Sequence, residues 1–373
     1  MEATEAVLSA DSHVVEPLDL WTERCDGSLR ERVPRLVRDL GGRKGNFVVC
    51  EDALPIPLEA FCSAGLSADE LASAFEGGAL AVRRGGFDAA ARLADMQADG
   101  VSAEVLYPSV ALQAFRVRDA ALQRACFRVY NDWLAEFCAA APERLYGVAL
   151  ISLFDVADGV RELERAARSG LRGAMVWAAP PAGDSYARPA YEPFWAAAEA
   201  AALPVSLHLG TTQELAAPGE SIAVAFMLTI LPVQRALSQL ILGGVLQRHP
   251  RLRLVSVENE VGWLPHFLAR LDHAADKYRR VAGLELDLAP SEYFRRQVSA
   301  TFQEDRIGIE ERGRIGVETL MWASDYPHSD STWPRSREVI ARDFAGVPQR
   351  ERAQILGGNV ARVYGMAGVT PLR

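Results

Sequence analysis

The residues best suited to chemistry in this 373-residue sequence are imidazoles and carboxylates that close short apolar runs. Asp11 and His13 end the first such run and His208 ends another. Glu258 follows a third, and Asp325 closes a fourth with His328 three residues further on. Imidazole nitrogen mixed with carboxylate oxygen is ligand chemistry for Zn, Mn or Fe(II). Residues two apart on a strand face the same side, so Asp11 and His13 can approach one ion together. Asp-x-His alone is a common pattern; its weight here comes from His208 and Asp325 recurring at equivalent places. We therefore expect His13, His208 and Asp325 as metal ligands, with Asp11 and Glu258 as further candidates. The competing expectation is that His13 and His208 are ordinary hydrogen-bonded core residues. His328 falls in the loop after Asp325, where it can support the ligands, act as an acid or base, or hold a second ion. His249 precedes its apolar run and so falls at the opposite end from the others. His266 and His273, seven apart, read as one face of a helix.

Positioning these groups requires a scaffold, and the sequence describes one. Eight β-rich runs are expected: Ala6–Ala10, Ala103–Tyr107, Leu145–Ile151, Gly173–Trp177, Pro204–His208, Leu252–Val257, Gln297–Thr301 and Thr319–Ser324. Most are continuously apolar, as parallel strands covered on both faces must be. Between them lie amphipathic segments. Ala120–Ala141 places Leu122, Cys126, Val129, Trp133 and Phe137 on one stripe, and Val156–Ser169 does the same with Val160, Leu163 and Ala167 before Gly170 stops it. Tyr191–Ala201 is a third helix, and Ile222–Arg248 a broken one interrupted by Pro232 and Gly243–Gly244. Alternation through eight units predicts an α/β fold, a (β/α)8 TIM barrel forming one domain over 1–373. No Gly-rich phosphate loop follows the first run, which disfavours a nucleotide-binding sheet. Residues 18–90 break the alternation with Gly41–Gly42, Pro55, Pro57, Gly77–Gly78 and Gly85–Gly86. This stretch reads as an irregular, lid-like insertion after the first strand, on the face where such barrels work.

Composition narrows the function further. Hydrophobic residues make up 49% and charged residues 24%, a globular balance, and the net charge of −9 argues against nucleic-acid or anionic-membrane partners. The acidic start MEATEAVLSADSH is a poor signal peptide, and no run reaches the roughly 18 apolar residues of a membrane helix. Five scattered cysteines without a CxxC pair fit a reduced, cytoplasmic protein.

The residues and their order resemble the metal-dependent amidohydrolase superfamily, in the amidohydrolase-related (amidohydrolase 2) branch that includes aminocarboxymuconate-semialdehyde decarboxylase-like proteins. The matching segments are ADSHVVEP, PVSLHLG, GGVLQRHPRLRLVSVENEVGWLP, WASDYPHSDSTWP and ILGGNVARVYG, which together span almost the whole chain. The resemblance implies that Asp11 and His13 fill the acid-x-His metal motif, that His208 and Asp325 are the ligands of the fifth and eighth strands, and that Glu16 supports the site. Asp325 is implied as a ligand or as the base that deprotonates metal-bound water. It also implies a small-molecule substrate and a homodimer. One departure stands out: where decarboxylases of this group carry a His-Gly-Gly-type element after the sixth strand, this chain has Glu258-Asn259-Glu260. Glutamate lacks the near-neutral pKa of imidazole unless burial raises it. The extra carboxylate also admits a second ion, with Asp11, Glu258 and Asp325 as shared ligands.

The leading expectation is therefore a hydrolase: one or two divalent ions activate water against an amide, ester or thioester, acyl-CoA included, with Asp325 as base and Glu258 or His328 assisting. The alternative is non-oxidative decarboxylation of an aromatic or unsaturated carboxylic acid. A non-catalytic binding barrel is the third reading.

Overall fold

A computed structural model of the chain describes residues 5–51, 53–76, 82–213, 221, 224 and 227–369. The eight expected strands all form: β1 (Leu8–His13), β2 (Ala103–Tyr107), β3 (Leu145–Leu150), β4 (Gly173–Val176), β5 (Val205–His208), β6 (Leu254–Val257), β7 (Val298–Phe302) and β8 (Leu320–Trp322). Each neighbouring pair is parallel, and the hydrogen-bonded order follows the chain from β1 to β8. Every residue of these strands is buried, which explains why their sequences read as continuous apolar runs rather than alternations.

The last and first strands are stitched together beyond their ladders. Asp325 N–H donates to the Asp11 carbonyl (3.0 Å) and His13 N–H to the Tyr326 carbonyl (2.6 Å). Ser324 N–H donates to Ser9 Oγ at 2.9 Å. These bonds bring the two metal-motif segments, over 300 residues apart in sequence, to one seam of a nearly closed barrel.

Helices pack outside. The expected segments appear as Ala120–Cys138, Val156–Arg168 and Glu192–Ala201. Asp119 and Asp155 cap the first two by accepting backbone N–H groups with their side chains. The fourth forms as Ile230–Leu242 and Val245–Arg248, broken at Gly243–Gly244, where Gly244 has φ +73°. In its upstream part, residues 222, 223, 225 and 226 lie outside the described residues.

The insertion is more ordered than its punctuation suggests. Arg35–Leu40 and Arg43–Val49 form an antiparallel hairpin, and Ile56–Pro57 adds a third strand. Asp39, Gly41 and Gly42 take positive φ (+53°, +59°, +79°) to make the turn. The exposed Arg43 and Lys44 at the start of the second strand masked the continuously buried run Asn46–Val49. A helix at Ala68–Phe75 begins with a Ser67/Glu70 capping box. The expectation of an irregular segment is thus corrected, although Gly77 and Gly78 lie outside the described residues. The stretch from Leu58 to Gly65 reaches the barrel mouth: Ala64 N–H donates to the Pro327 carbonyl and Ser329 N–H to the Ala60 carbonyl, at 3.0 and 3.1 Å. No helix among the described residues is long and apolar enough to cross a membrane.

Candidate metal centre

Asp11, His13, His208 and Glu258 offer ligand atoms that lie within 4.8 Å of one another, as do His13, Glu258, Asp325 and His328. His13 Nε2 stands 3.4 Å from Asp11 Oδ1 and 3.1 Å from Asp325 Oδ1. His208 Nε2 is 3.7 Å from Asp11 Oδ1 and 3.5 Å from Glu258 Oε2. All of the residues predicted from sequence as ligands therefore converge.

Local backbone explains how. The β1–β2 register shifts between Ser9 and Ser12, so β1 carries a bulge that includes Asp11, and bulges re-aim side chains beside sites. Glu258 and Asp325 leave their strands in the left-handed region, with φ of +58° and +53°. Such conformations cost on the order of 1–3 kcal/mol each and survive only where the surroundings impose them.

The second ring nitrogens fix the imidazoles. His13 Nδ1 pairs with the Pro108 carbonyl at 2.6 Å and His208 Nδ1 with the Leu209 carbonyl at 2.8 Å. A nitrogen facing a carbonyl must carry the hydrogen, which leaves each Nε2 lone pair turned to the centre. Both Nε2 atoms and both carboxylate oxygens of Asp11 and Asp325 are buried without a hydrogen-bond partner among the described residues. Buried polar atoms are almost always paired, so this cluster of orphaned atoms fits a divalent cation. Electrostatics agrees. Burial opposes charge on His13, yet Asp11 and Asp325 outweigh it and hold its pKa well above the usual imidazole range, so a proton on Nε2 and a bound ion compete for the same lone pair. Burial likewise opposes the Asp11 carboxylate, but His13 and His208 keep its pKa low. The centre is therefore a place that stabilises positive charge.

His328 is part of this centre. Its ring stacks on His13 with centroids 3.7 Å apart, its Nδ1 lies 3.3 Å from Asp325 Oδ1, and its Nε2 pairs with Ser109 Oγ at 3.0 Å. Burial pushes its pKa down despite the opposing pull of Asp325. Phe61 of the insertion covers it with ring centroids 5.5 Å apart.

Glu16 acts one layer back. Its carboxylate accepts N–H groups from Ser109, Val110 and Ala111 at 3.3, 2.8 and 3.1 Å. It thereby holds the loop whose Pro108 carbonyl and Ser109 hydroxyl orient His13 and His328. Burial pushes its pKa up to about 7 against those donors. Arg92, which sequence reading did not single out, is fully buried and spans Glu104 (2.5 Å) and the His13 carbonyl (2.6 Å). Its signal was present: Arg92 shares the buried stripe of the helix Ala89–Asp99 with Met96 and Asp99. Asp305 is occupied elsewhere, accepting N–H groups of Val261, Gly262 and Gly308. His249 sits ahead of β6 against Glu192 at 2.7 Å, and His266 and His273 are exposed on their helix.

The sequence profile of the amidohydrolase family matches residues 15–366. Its match begins just after His13, so the placing of Asp11 and His13 rests on geometry. A gamma-resorcylate decarboxylase of Rhizobium radiobacter is 27% identical over 300 residues, 74% of this chain and 87% of that protein. Among solved structures, an amidohydrolase of Mycobacterium avium subsp. paratuberculosis K-10 superposes with a TM-score of 0.81 at 22% identity, covering 97% of this chain and 100% of that one. The 5-carboxyvanillate decarboxylase of Novosphingobium aromaticivorans, solved with manganese and 4-hydroxy-3-methoxy-5-nitrobenzoic acid, superposes at 0.69 with 18% identity over 98% and 97% of the two chains. These likenesses establish the barrel and overturn the hydrolytic expectation: the relatives named for a specific substrate, the gamma-resorcylate and 5-carboxyvanillate enzymes, are decarboxylases, while the Mycobacterium protein carries only the family's name. That expectation leans on Glu258 as one more ionised acid; burial, then Asp325 and Asp11, push its pKa upward from the usual carboxylate range.

Proposed function

The chain belongs to the amidohydrolase family, and on that footing we propose that it is a metal-dependent, non-oxidative decarboxylase of an aromatic carboxylic acid. The observation that carries the choice of reaction is the alignment with gamma-resorcylate decarboxylase across 87% of that protein. Asp11, His13, His208 and Asp325 would hold a divalent ion, manganese, iron or zinc, with Glu258 within reach. When bound, that ion supplies positive charge to fix the substrate carboxylate and a neighbouring ring oxygen.

The remaining work falls to side chains. As the bond from ring to carboxyl breaks, its electron pair stays on the ring carbon, which must take a proton while carbon dioxide leaves. Solvent supplies this proton, and Asp325 and His328, 3.3 Å apart, form the pair that relays it to the ring carbon. Ser109 and the stack on His13 keep the His328 ring aligned with Asp325. Trp177, directly after β4, and Phe154, packed edge-on against it at 4.9 Å, offer an apolar wall for an aryl ring. The insertion serves as the lid, and Phe61 over His328 excludes water from the proton-holding pair.

The test is to incubate manganese-loaded protein with a panel of ortho-hydroxybenzoates and follow products by NMR. Carbon dioxide and the matching phenol are expected. No carbon dioxide from any member, with cleavage of the corresponding methyl esters or amides run alongside, would sink the reading.

A further inference from the structure

A second group of orphaned donors stands apart from the metal cage. Arg116 ends the short helix Val110–Arg116 in the loop after β2 and is only 8% exposed. Its Nη1 donates to Gln113 Oε1 at 2.7 Å and its Nη2 to the Gly210 carbonyl at 3.3 Å. Both acceptors are neutral, and Nε has no partner among the described residues. Gln113 is fully buried; its oxygen faces Arg116, so its NH2 group points elsewhere, and that nitrogen is unpartnered too. A buried guanidinium with no carboxylate partner among the described residues is costly.

The place is the barrel mouth. Gly210 lies two residues beyond His208, and the Phe115 carbonyl accepts the indole N–H of Trp177 at 3.0 Å. Loops following β2, β4 and β5 thus meet around Arg116, on the same face as the metal cage. Donors alone, with no acceptor offered, suit a group that only accepts: an ionised carboxylate, which a guanidinium fork matches in shape.

We propose that Arg116, held in place by Gln113 Oε1, binds a second carboxylate of the substrate, one distant from the carboxyl that is lost. The substrate is then an aryl dicarboxylate rather than a simple hydroxybenzoate. This inference rests on the decarboxylase reading. Burial pushes the Arg116 pKa down to about 10, which still leaves it cationic at neutral pH.

Two probes isolate the claim on manganese-loaded protein: 4-hydroxy-3-methoxy-5-nitrobenzoic acid, with a free carboxylate beside the nitro mimic, and 2-nitroresorcinol, which has none. Calorimetric titration should show that Arg116→Gln weakens the first roughly 10- to 100-fold and the second less than about twofold. Arg116→Lys, which keeps the charge without the fork, should restore part of the loss. Equal losses for both probes, no loss for either, or failure of the native protein to prefer the carboxylate-bearing probe would each overturn it. Carbon dioxide assays separate the two readings. Persistent carboxylate selectivity without any decarboxylation removes only the reaction, while decarboxylation with no dependence on Arg116 removes only the second subsite.

Discussion

Polar groups in two layers of the same barrel are treated in opposite ways. Below the mouth, Ser9, Ser12 and Ser324 share hydrogen bonds of 2.9 to 3.2 Å, Tyr107 bonds Ser206 and Tyr364, and Arg92 saturates Glu104. At the mouth, Asp11, His13, His208 and Asp325 are equally buried, yet six of their side-chain atoms have no hydrogen-bond partner among the described residues. Both layers pay the desolvation of polar groups; only the lower one recovers it within the protein. The lower layer is therefore built for stability and the upper one for a ligand. The left-handed backbone at Glu258 and Asp325 concentrates strain in that same upper layer.

The largest effect that separates them is expected at Asp325. Asp325→Asn should lower kcat about 10³-fold with the fold intact by circular dichroism, since a general acid contributes roughly 10²–10⁴. A fully active variant would assign the proton to another group. In the lower layer the damage should be to folding instead. Arg92→Met strands Glu104 in the interior and should cost about 3–5 kcal/mol in urea unfolding, since a broken buried pair leaves an uncompensated charge. A loss below ~1 kcal/mol would show that water reaches Glu104.

Metal removal tests the upper layer alone. Ligand at about 100 times its Kd stabilises by about 2.7 kcal/mol, so stripping with a chelator should lower Tm by several degrees and added manganese should restore it. An unchanged Tm would argue that the orphaned atoms hold no ion. Asp11→Asn should abolish that metal-dependent rise and should also lower the stability of the metal-free protein at neutral pH, because His13 and His208 favour the ionised Asp11 carboxylate over its unfolded reference.

The smallest effect concerns a partnered acid. Asp99 accepts the backbone N–H and hydroxyl of Ser336 at 3.0 and 2.5 Å, yet burial, with Glu104 adding to it, pushes its pKa up from 3.8 to about 6. The folded state thus holds this proton more tightly than the unfolded chain. Its contribution is most favourable below pH ~4 and is lost as pH rises through about 6. Stability of the native protein relative to Asp99→Asn should fall across that window and stay level above it. A flat difference would mean that Asp99 titrates normally.

Much of this was legible in the sequence. Buried parallel strands need unbroken apolar runs, so the eight strand positions and the groups closing them could be read within about two residues. Less legible was anything depending on distant partners. The hairpin at 35–49 hid because its charged ends resemble a loop. The Arg92–Glu104 pair hid because a lone arginine on a helix says nothing of what faces it. The upward push on the Glu258 pKa was hidden because it comes from burial, then from Asp325 and Asp11, none of which a local pattern shows.

The sequence by itself determined which residues stand at the strand ends, since periodicity and apolar length fix where each strand stops. Tertiary structure alone decided that Asp11 is re-aimed by a bulge, that each imidazole presents Nε2 to the centre, and that Arg116 is left without an anion. Those outcomes depend on carbonyls and carboxylates brought together from separate loops, and no local pattern encodes which buried group goes unpaired.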